Sequence, residues 1–403
     1  MAVVGVVLLL LGYAFARTEM LFIGWLAVAL PATALLFVRL RPLRMAVARS
    51  FSSPMLVAGH AASGTIELRN QSPYAAPGAR WAEALAWRPF TTPFERLPAI
   101  PGRTPWRSEP TVLHHSFTPP RRGVFDIGPL VIELSDPFGL ARGEVAVGET
   151  QRVIVIPDVE VLRSSGLSVT ADDGAVHAHR FRSLGGDDDA MTRNYRSGDA
   201  LRRVHWRASA HRGELMVREE EQRSHAEACI VLDTVRRGYG DRKFAPEPHE
   251  TQSDRFEWAL RMTATLALHL EQRGFLVQLL ETGPRQLESP ERVDAFLESV
   301  AAAELSPNAA ESVMGAAPPR PHVSLGVVFA IVADAEPATI ELLAAQRRRF
   351  ELAIALIVTP RFDEIAEQLA IAGWNPVDAE IAESVGELWE TIMPLLESRN
   401  VRH

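Results

Sequence analysis

The N-terminus of this chain carries two long apolar runs, and they place the strongest limit on what the chain can fold into. The runs cover 2–16 and 20–38, and only Arg17, Thr18 and Glu19 separate them. A transmembrane helix needs about 20 apolar residues, so the second run is long enough to span a bilayer, whereas the first needs its flanks or a thinner bilayer. The pattern predicts a transmembrane helical hairpin.

A cleaved secretory signal is the alternative interpretation of the first run. Ala14, Phe15 and Ala16 resemble a small-residue cleavage site. However, no positive charge precedes this run, and a second apolar run follows at once, which does not suit a cleaved signal. The hairpin is therefore favoured.

The charges that follow the second run predict the orientation of the hairpin. Four arginines lie there with no acidic residue among them: Arg39, Arg41, Arg44 and Arg49. Cationic juxtamembrane residues are retained on the cytoplasmic side of a membrane. We therefore expect segment 1–49 to hold the protein in the lipid bilayer of the inner (plasma) membrane, with two spans and with both termini and the soluble domains in the cytoplasm.

Length and composition limit what the rest of the chain can be. A chain of 403 residues predicts two or three folded units. The 42 basic and 50 acidic residues give a net charge of −8, which disfavours nonspecific electrostatic binding to nucleic acid. The single cysteine, Cys229, excludes an intramolecular disulfide and any metal site built from several cysteines.

Segment 50–157 has the pattern of an antiparallel β-sandwich module. Short stretches such as 64–68 and 128–134 alternate apolar and polar residues, which is typical of half-buried strands. The segment 89–110 is rich in proline and is predicted to be a loop. Three tryptophans are assigned to the core rather than to a ligand platform: Trp81, Trp87 and Trp106.

Segment 228–403 alternates buried strands with amphipathic helices. The predicted strands are 228–232, 275–280, 325–332 and 351–358, and the predicted helices are 256–271, 293–303, 339–349, 362–372 and 382–397. Alternation of this kind predicts a doubly wound α/β domain with a parallel sheet and crossover helices.

Segment 158–227 joins the two modules and contains the most unusual residues of the chain. Asp199 is a good helix N-cap, Val204 and Ala208 fall on one face of the following helix, and Gly213 can end it. The pattern predicts a short helix that leads into a strand near 215–218.

This joining segment resembles the signature of the bacterial domain of unknown function 58 family. The matching positions are Tyr195, Gly198, Asp199, Arg203, Trp206, Ser209, Ala210, Leu215, Val217, Arg218 and Glu219. His205, Ala200 and His211 depart from the family pattern. Upstream, 121–125 and 135–140 resemble the second landmark of the family. The candidate interaction residues are Tyr195, Gly198, Asp199, Arg203, His205, Trp206, Arg207, Ser209, Arg218 and Glu219.

The resemblance implies a von Willebrand factor A-like fold for the C-terminal domain and raises the question of a metal. Such folds often hold Mg²⁺ through hydroxyl and carboxylate side chains at the carboxyl ends of their strands. Asp233 and Asp334 remain at matching positions, but Val235 replaces a hydroxyl and Arg237 adds a positive charge. Because Mg²⁺ prefers hard oxygen ligands, we expect a degenerate site with no bound metal and no cofactor.

Family members are often linked with MoxR-type AAA+ ATPases, so the resemblance implies a protein partner of that class. We expect a non-enzymatic, membrane-tethered cytosolic interaction or adaptor protein that assists the assembly or maturation of a client. The alternative is an enzyme or a metal-dependent binding module that uses the Asp/His/Arg-rich central motif, with His205 or His211 as a base.

The central motif has two further interpretations. Its arginines and aromatic residues suggest nucleic-acid binding, but between 187 and 221 seven arginines meet eight acidic residues, so no nucleic acid is expected. The charges also suit an internal ion-pair network that joins the two modules without contacting any partner.

Overall fold

The computed structural model describes most of the chain. The described residues are 1–40, 43–76, 78–88, 92–103, 110–163, 192–195, 204, 206–218, 227–241, 243–244, 251–309, 325–379 and 384–397. The chain forms two compact units, Met1–Asp158 and Val159–His403.

The first unit begins with two packed helices, α1 (Ala2–Ala14) and α2 (Thr18–Arg39). At 1.5 Å per residue, α2 is about 33 Å long and α1 about 20 Å. α2 is long and apolar enough to cross a membrane, and α1 is a shorter apolar helix. The chain reverses between the two helices at Ala16, which has a φ of 50°. α1 therefore ends at Ala14, two residues before the end of the apolar run 2–16.

Glycines allow α1 and α2 to approach closely. A Cβ atom on Gly24 of α2 would lie 2.8 Å from Cγ of Leu9 and 3.0 Å from the carbonyl oxygen of Gly5 on α1. Small residues at such contacts are typical of helices that pack in a lipid environment. The outward side chains remain exposed, as Phe22 (75%) and Trp25 (65%) illustrate, so this pair of helices has an apolar outer surface.

Two β-sheets make up the rest of the first unit. The first has the order β1-β3-β6, from β1 (Met45–Phe51), β3 (Ala62–Asn70) and β6 (Thr111–Phe117). The second has the order β2-β9-β7-β4-β5, from β2 (Met55–Val57), β4 (Ala79–Leu85), β5 (Glu95–Leu97), β7 (Gly123–Ser135) and β9 (Gln151–Ile156), with β8 (Arg142–Val147) beside β7.

The two sheets contribute to common hydrophobic clusters. Alternate residues of β3 are buried, as the period-two pattern predicts, and Ile66 and Leu68 share a cluster with Trp81 of β4 and Ile132 of β7. Trp81 is therefore a core residue, as predicted. Trp87 packs against a second cluster, and Trp106 lies outside the described residues.

The predicted proline-rich loop contains regular structure, so this prediction was wrong in part. β5 pairs with β4, and Ile100 forms an isolated bridge with Ala76. A strand of three residues at the edge of a sheet is too short to show a period-two pattern, which is why the sequence did not reveal it.

The second unit contains the signature segment, built from β10 (Thr192–Asn194), α3 (Trp206–Arg212) and β11 (Met216–Arg218). β10 and β11 pair antiparallel. The predicted helix began too early, because Val204 lies in a β-bridge rather than in α3. Its predicted end is confirmed: Gly213 has a φ of 75°, and its N–H donates to the carbonyl oxygen of Ser209.

A five-stranded parallel sheet forms the centre of the second unit. It has the order β15-β12-β16-β17-β18, from β12 (Glu227–Leu232), β15 (Leu276–Glu281), β16 (Leu325–Val332), β17 (Leu352–Ile357) and β18 (Asn375–Asp378). All pairs are parallel, which confirms the predicted parallel sheet. A small hairpin, β13 (Lys243–Phe244) with β14 (Thr251–Gln252), follows β12 in the chain.

Helices cover both faces of this sheet. They are α4 (Asp254–Gln272), α5 (Val293–Ala302), α6 (Pro337–Arg347), α7 (Phe362–Ile371) and α8 (Val385–Glu397). Leu343 of α6 and Leu369 of α7 share a cluster with Cys229. On the opposite face, Trp389 of α8 lies 5.1 Å from the ring of His269 on α4 and 6.4 Å from that of Phe329 on β16.

Candidate functional site

The signature segment is held together by one buried serine. The amide N–H of Met216 donates to Ser209 Oγ at 2.8 Å, and Ser209 Oγ lies 3.4 Å from the carbonyl oxygen of Met216. The N–H of Tyr195 donates to the carbonyl oxygen of Leu215 at 2.8 Å. Met216 is 1% exposed, so α3 is fixed against β11 by both packing and hydrogen bonds.

Trp206 is the first residue of α3 and is 67% exposed. Side chains of a helix tilt toward its N-terminus, so the side chain of the first residue extends past the helix instead of covering the next turn. The segment therefore presents a large aromatic ring on an element that is otherwise firmly held.

The structure describes half of the candidate interaction residues. Tyr195, Trp206 and Ser209 are placed together with their side chains, while Arg207 and Arg218 are placed by their backbone in α3 and β11. The remaining candidates lie outside the described residues: Gly198, Asp199, Arg203, His205 and Glu219.

A second polar site lies at the carboxyl edge of the parallel sheet. Asp233 follows β12, and its Oδ1 accepts hydrogen bonds from Thr282 Oγ1 at 2.5 Å and from the N–H of Val235 at 3.1 Å. Tyr239 Oη donates to the carbonyl oxygen of Asp233 at 2.6 Å. Asp233 is fully buried, and burial raises its pKa to about 6, although the hydrogen bonds from Thr282 and Val235 act in the opposite direction.

Asp334 follows β16 and occupies the neighbouring position at this edge. Its Oδ1 accepts from Thr359 Oγ1 at 2.5 Å, and its Oδ2 accepts from Arg255 Nη1 at 2.7 Å and from the N–H of Gly240 at 2.9 Å. Arg361 Nη2 lies 3.5 Å from Oδ1. Partial burial would raise the pKa of Asp334, but these hydrogen bonds and positive charges outweigh it and lower the pKa below its usual value.

The strand order reverses direction between β12 and β16, so Asp233 and Asp334 flank the topological switch point. Ligands of open α/β sheets usually bind outside the carboxyl ends of the strands at this point. The family resemblance singled out both carboxylates, and the structure shows that each follows a buried strand. The sequence did not identify the residues that satisfy them, because each partner comes from a different loop or helix.

Arg237 was predicted to add a positive charge at the degenerate metal site, but the structure places other arginines next to Asp334. Arg237 is exposed on a short 3₁₀ turn, Arg236–Gly238, while Arg255 of α4 and Arg361 supply the positive charges next to Asp334. A signal for Arg255 was present in the sequence: Ser253 precedes a strong helical pattern, which places Arg255 in the first turn of a helix. Val235 is buried and offers no side-chain ligand atom.

The side-chain oxygen atoms at this edge of the sheet do not fit a Mg²⁺ ion as ligands. Thr282 and Thr359 use their hydroxyl groups to donate to the two carboxylates, and Arg255 binds Asp334 where a metal would need that oxygen. Mg²⁺ requires near-octahedral coordination by oxygen atoms. Among the described residues, no three His, Cys, Asp or Glu side chains are grouped so that they could hold a metal ion.

Comparison with known families supports the resemblance in the signature segment. The family model described as "Protein of unknown function DUF58" matches residues 191–297, from β10 into α5. The match lies within the second unit. No curated protein sequence matches the chain.

Solved structures give only weak likenesses. The CARDB domain of the PF1109 protein from Pyrococcus furiosus, solved with di-metal ions, is 15% identical, with a TM-score of 0.21 over 28% of this chain and 89% of that one. The sporulation control protein Spo0M from Bacillus subtilis is 10% identical, with a TM-score of 0.15 over 34% of this chain and 56% of that one. Both scores are too low to support an argument about fold or function.

Proposed function

We propose that this protein is a membrane-tethered, cytosolic adaptor that works with a MoxR-type AAA+ ATPase in the assembly or maturation of a client. The observation that carries the proposal is the exposed ring of Trp206 on the helix that Ser209 and Met216 fix in place. Tryptophan is enriched among the residues that dominate protein–protein binding energy. A rigid element that presents such a ring suits a docking site.

The proposal includes a finer description of the architecture. The two sheets that share hydrophobic clusters form a β-sandwich module over 50–157, and 228–403 forms a von Willebrand factor A-like domain, with 158–227 as the joining segment. Both α1 and α2 span the inner membrane, and both termini face the cytoplasm. The length and composition of α2 support membrane anchoring, and the four following arginines support the orientation.

Binding rather than catalysis is supported by the chemistry of the carboxyl edge. Asp334 is neutralised by Arg255 and supported by Thr359, and Asp233 is fully buried. A general base needs to reach the proton that it removes. Neither carboxylate offers a free, accessible oxygen for that role, so the edge acts as a structural network within the second unit.

The proposal is tested by measuring the affinity of the full-length protein, in lipid nanodiscs, for a purified MoxR-type AAA+ ATPase. Trp206→Ala should weaken binding by about 2 kcal/mol, or roughly 30-fold, because truncating an interface tryptophan removes an anchor. Thermal unfolding should move little, since substitutions at exposed positions usually change stability by less than about 0.5 kcal/mol.

Tyr74→Ala provides a matched control, since Tyr74 is an exposed aromatic residue (79%) in the first unit. Its affinity for the ATPase should equal that of the wild type. Equal affinities for wild type and Trp206→Ala would contradict the docking role of Trp206, and no measurable binding by the wild type would contradict the ATPase as partner.

A further inference from the structure

A rigid turn joins β7 to β8 and presents an apolar tip. The pair Ser135 and Arg142 closes the turn. Asp136 is buried, and its carboxylate accepts from the N–H of Phe138 at 2.8 Å and from that of Ala141 at 2.6 Å. These bonds fix the backbone of residues 136–141, so the direction in which the tip points is determined by the fold.

The tip residues do not contribute to the core of the first unit. Phe138 is 71% exposed and Leu140 is 36% exposed. Neither residue belongs to the hydrophobic clusters of the first unit, so we consider the elements that lie beside this apolar tip.

The turn lies beside the end of α2. A Cβ atom on Gly143, the second residue of β8, would be 2.6 Å from Cγ1 of Val38 in the last turn of α2. Val38 is buried in the same hydrophobic cluster against which Ala141 and Val145 pack. The start of β8 is therefore packed directly against the helix that is long and apolar enough to cross a membrane.

The direction of β8 shows which way the turn extends. At the other end of β8, a Cβ atom on Gly148 would lie 2.7 Å from Cβ of Val47 in β1. From Gly143, beside Val38, the chain therefore runs through β8 to Gly148, beside Val47. The turn precedes Gly143, so it lies at the end of β8 that is next to α2, the helix that is long and apolar enough to cross a membrane.

The burial pattern of α2 shows that one face of the helix is covered near Val38. Ala34 lies one helical turn before Val38 on the same face, and these two residues are 4% and 8% exposed. Leu35 and Leu36, on other faces of the same turn, are 50% and 56% exposed. Apolar side chains of α2 are therefore exposed within one helical turn of the residue that contacts β8.

We infer that the β7–β8 turn is a second membrane contact, in which Phe138 and Leu140 enter the lipid interface beside α2. Two exposed cations, Arg39 at the end of α2 and Arg142 at the start of β8, flank the contact between Val38 and Gly143 and suit anionic headgroups. Apolar side chains of interfacial elements typically reach about 5–10 Å below the headgroups. The inference rests on the proposed membrane anchoring, and it means that the first unit is held in one orientation against the bilayer by two contacts.

The inference is tested with the full-length protein in vesicles of phosphatidylcholine and phosphatidylglycerol that contain nitroxide-labelled lipids. A fluorophore is attached to Phe138→Cys, and Leu140→Cys gives a second reading. Cys229 does not compete for the label, because it is buried and its pKa is raised to about 12. Quenching at both positions should be stronger with the nitroxide near the headgroup than with the nitroxide deep in the acyl chain.

Two further labelled variants separate this inference from the anchoring itself. Leu26→Cys lies on the exposed apolar surface of α2 and should be quenched most strongly by the deep nitroxide. Val124→Cys is exposed near the opposite end of β7, roughly 35 Å from the turn at 3.3 Å per residue, and should not be quenched.

Quenching at Leu26 together with a Phe138 signal equal to that of Val124 would overturn the second contact and leave the anchoring intact. Absence of quenching at Leu26 and Phe138 alike would overturn both. A fluorophore at Phe138 that is quenched as deeply as one at Leu26 would also overturn the interfacial position.

Discussion

Each unit of the molecule contains an arginine–carboxylate pair, fully buried in the first unit and partly buried in the second, and the two pairs are built differently. In the first unit, Arg49 Nε donates to Glu83 Oε1 at 2.9 Å, with side-chain exposures of 3% and 0%. In the second, Arg255 binds Asp334 at 2.7 Å with exposures of 14% and 11%. Burial raises the pKa of Glu83 despite its arginine, whereas the surrounding donors lower the pKa of Asp334.

The difference lies in how many donors each carboxylate has. Asp334 accepts from three side chains and a backbone N–H. For Glu83, the structure gives a side-chain bond only to Oε1, and Oε2 is buried without a partner among the described residues. A single arginine does not compensate the desolvation of a fully buried carboxylate, but an arginine assisted by a hydroxyl and an amide does.

The two pairs therefore have opposite effects on stability as pH changes. A raised pKa means that the folded state binds more protons than the unfolded state, so the contribution of Glu83 falls as pH rises through its titration. The contribution of Asp334 is present above its unfolded pKa and is lost as pH falls through its lowered folded pKa.

The largest effect is expected for Arg49→Met. This change leaves Glu83 fully buried without its cation, and breaking a buried pair in this way typically costs about 3–5 kcal/mol. The loss should be smaller in acid, because Glu83 then takes up a proton. Native-state hydrogen exchange of β4 and β7 in the full-length protein measures the change locally.

The double variant Arg49→Met/Glu83→Leu is the control for this prediction. Replacing both partners with apolar side chains should recover most of the lost stability. If the single variant loses less than about 1 kcal/mol, the pair is not the buried contact that its exposures indicate.

A smaller effect is expected for Arg255→Met. Asp334 keeps Thr359, Gly240 and the exposed Arg361, so the loss should be about 1.5–3 kcal/mol, the usual value for a hydrogen bond to a charged group. Urea unfolding of the full-length protein, combined with hydrogen exchange at β16, measures it. Arg255→Lys retains the charge and should recover part of the loss; a loss as large as that of Arg49→Met would show that the neighbouring donors contribute little.

The sequence predicted the strands that carry these sites better than the side-chain contacts within the sites. The strand 325–332 was predicted with the bounds that the structure gives it, because a strand buried on both faces is a continuous apolar run. β18 was missed, since it has four residues, lies at the sheet edge and contains Pro376. Asp233 and Asp334 were singled out through the family resemblance, and both lie within two residues of the end of an apolar strand.

The partners of these carboxylates were not predicted, for a physical reason. Arg255 is 79 positions from Asp334, and Glu83 is 34 positions from Arg49. The local pattern of apolar and polar residues does not show which distant loops or strands will contact each other. The exposure of Trp206 follows from its position at the start of a short helix, and the sequence had placed the start of that helix earlier.

The variant Asp233→Asn tests whether burial alone is enough to raise the pKa of a carboxylate, as it does for Glu83. Like Glu83, Asp233 is fully buried, but Thr282 and Val235 bind its Oδ1 in place of an arginine. Its pKa rises from 3.8 to about 6, so the folded wild type loses stability as pH rises between those values. Asparagine keeps the acceptor oxygen and cannot ionise.

The variant should therefore match the wild type near pH 4 and be more stable by on the order of 1–2 kcal/mol at pH 7, because the ionised form of the buried acid is no longer present. Chemical unfolding of both proteins between pH 4 and pH 7 measures the difference. Parallel stability curves across this range would mean that Asp233 ionises at an ordinary pKa. Burial alone would then not be enough to raise the pKa of a carboxylate in this protein, and the raised pKa of Glu83 would need another explanation.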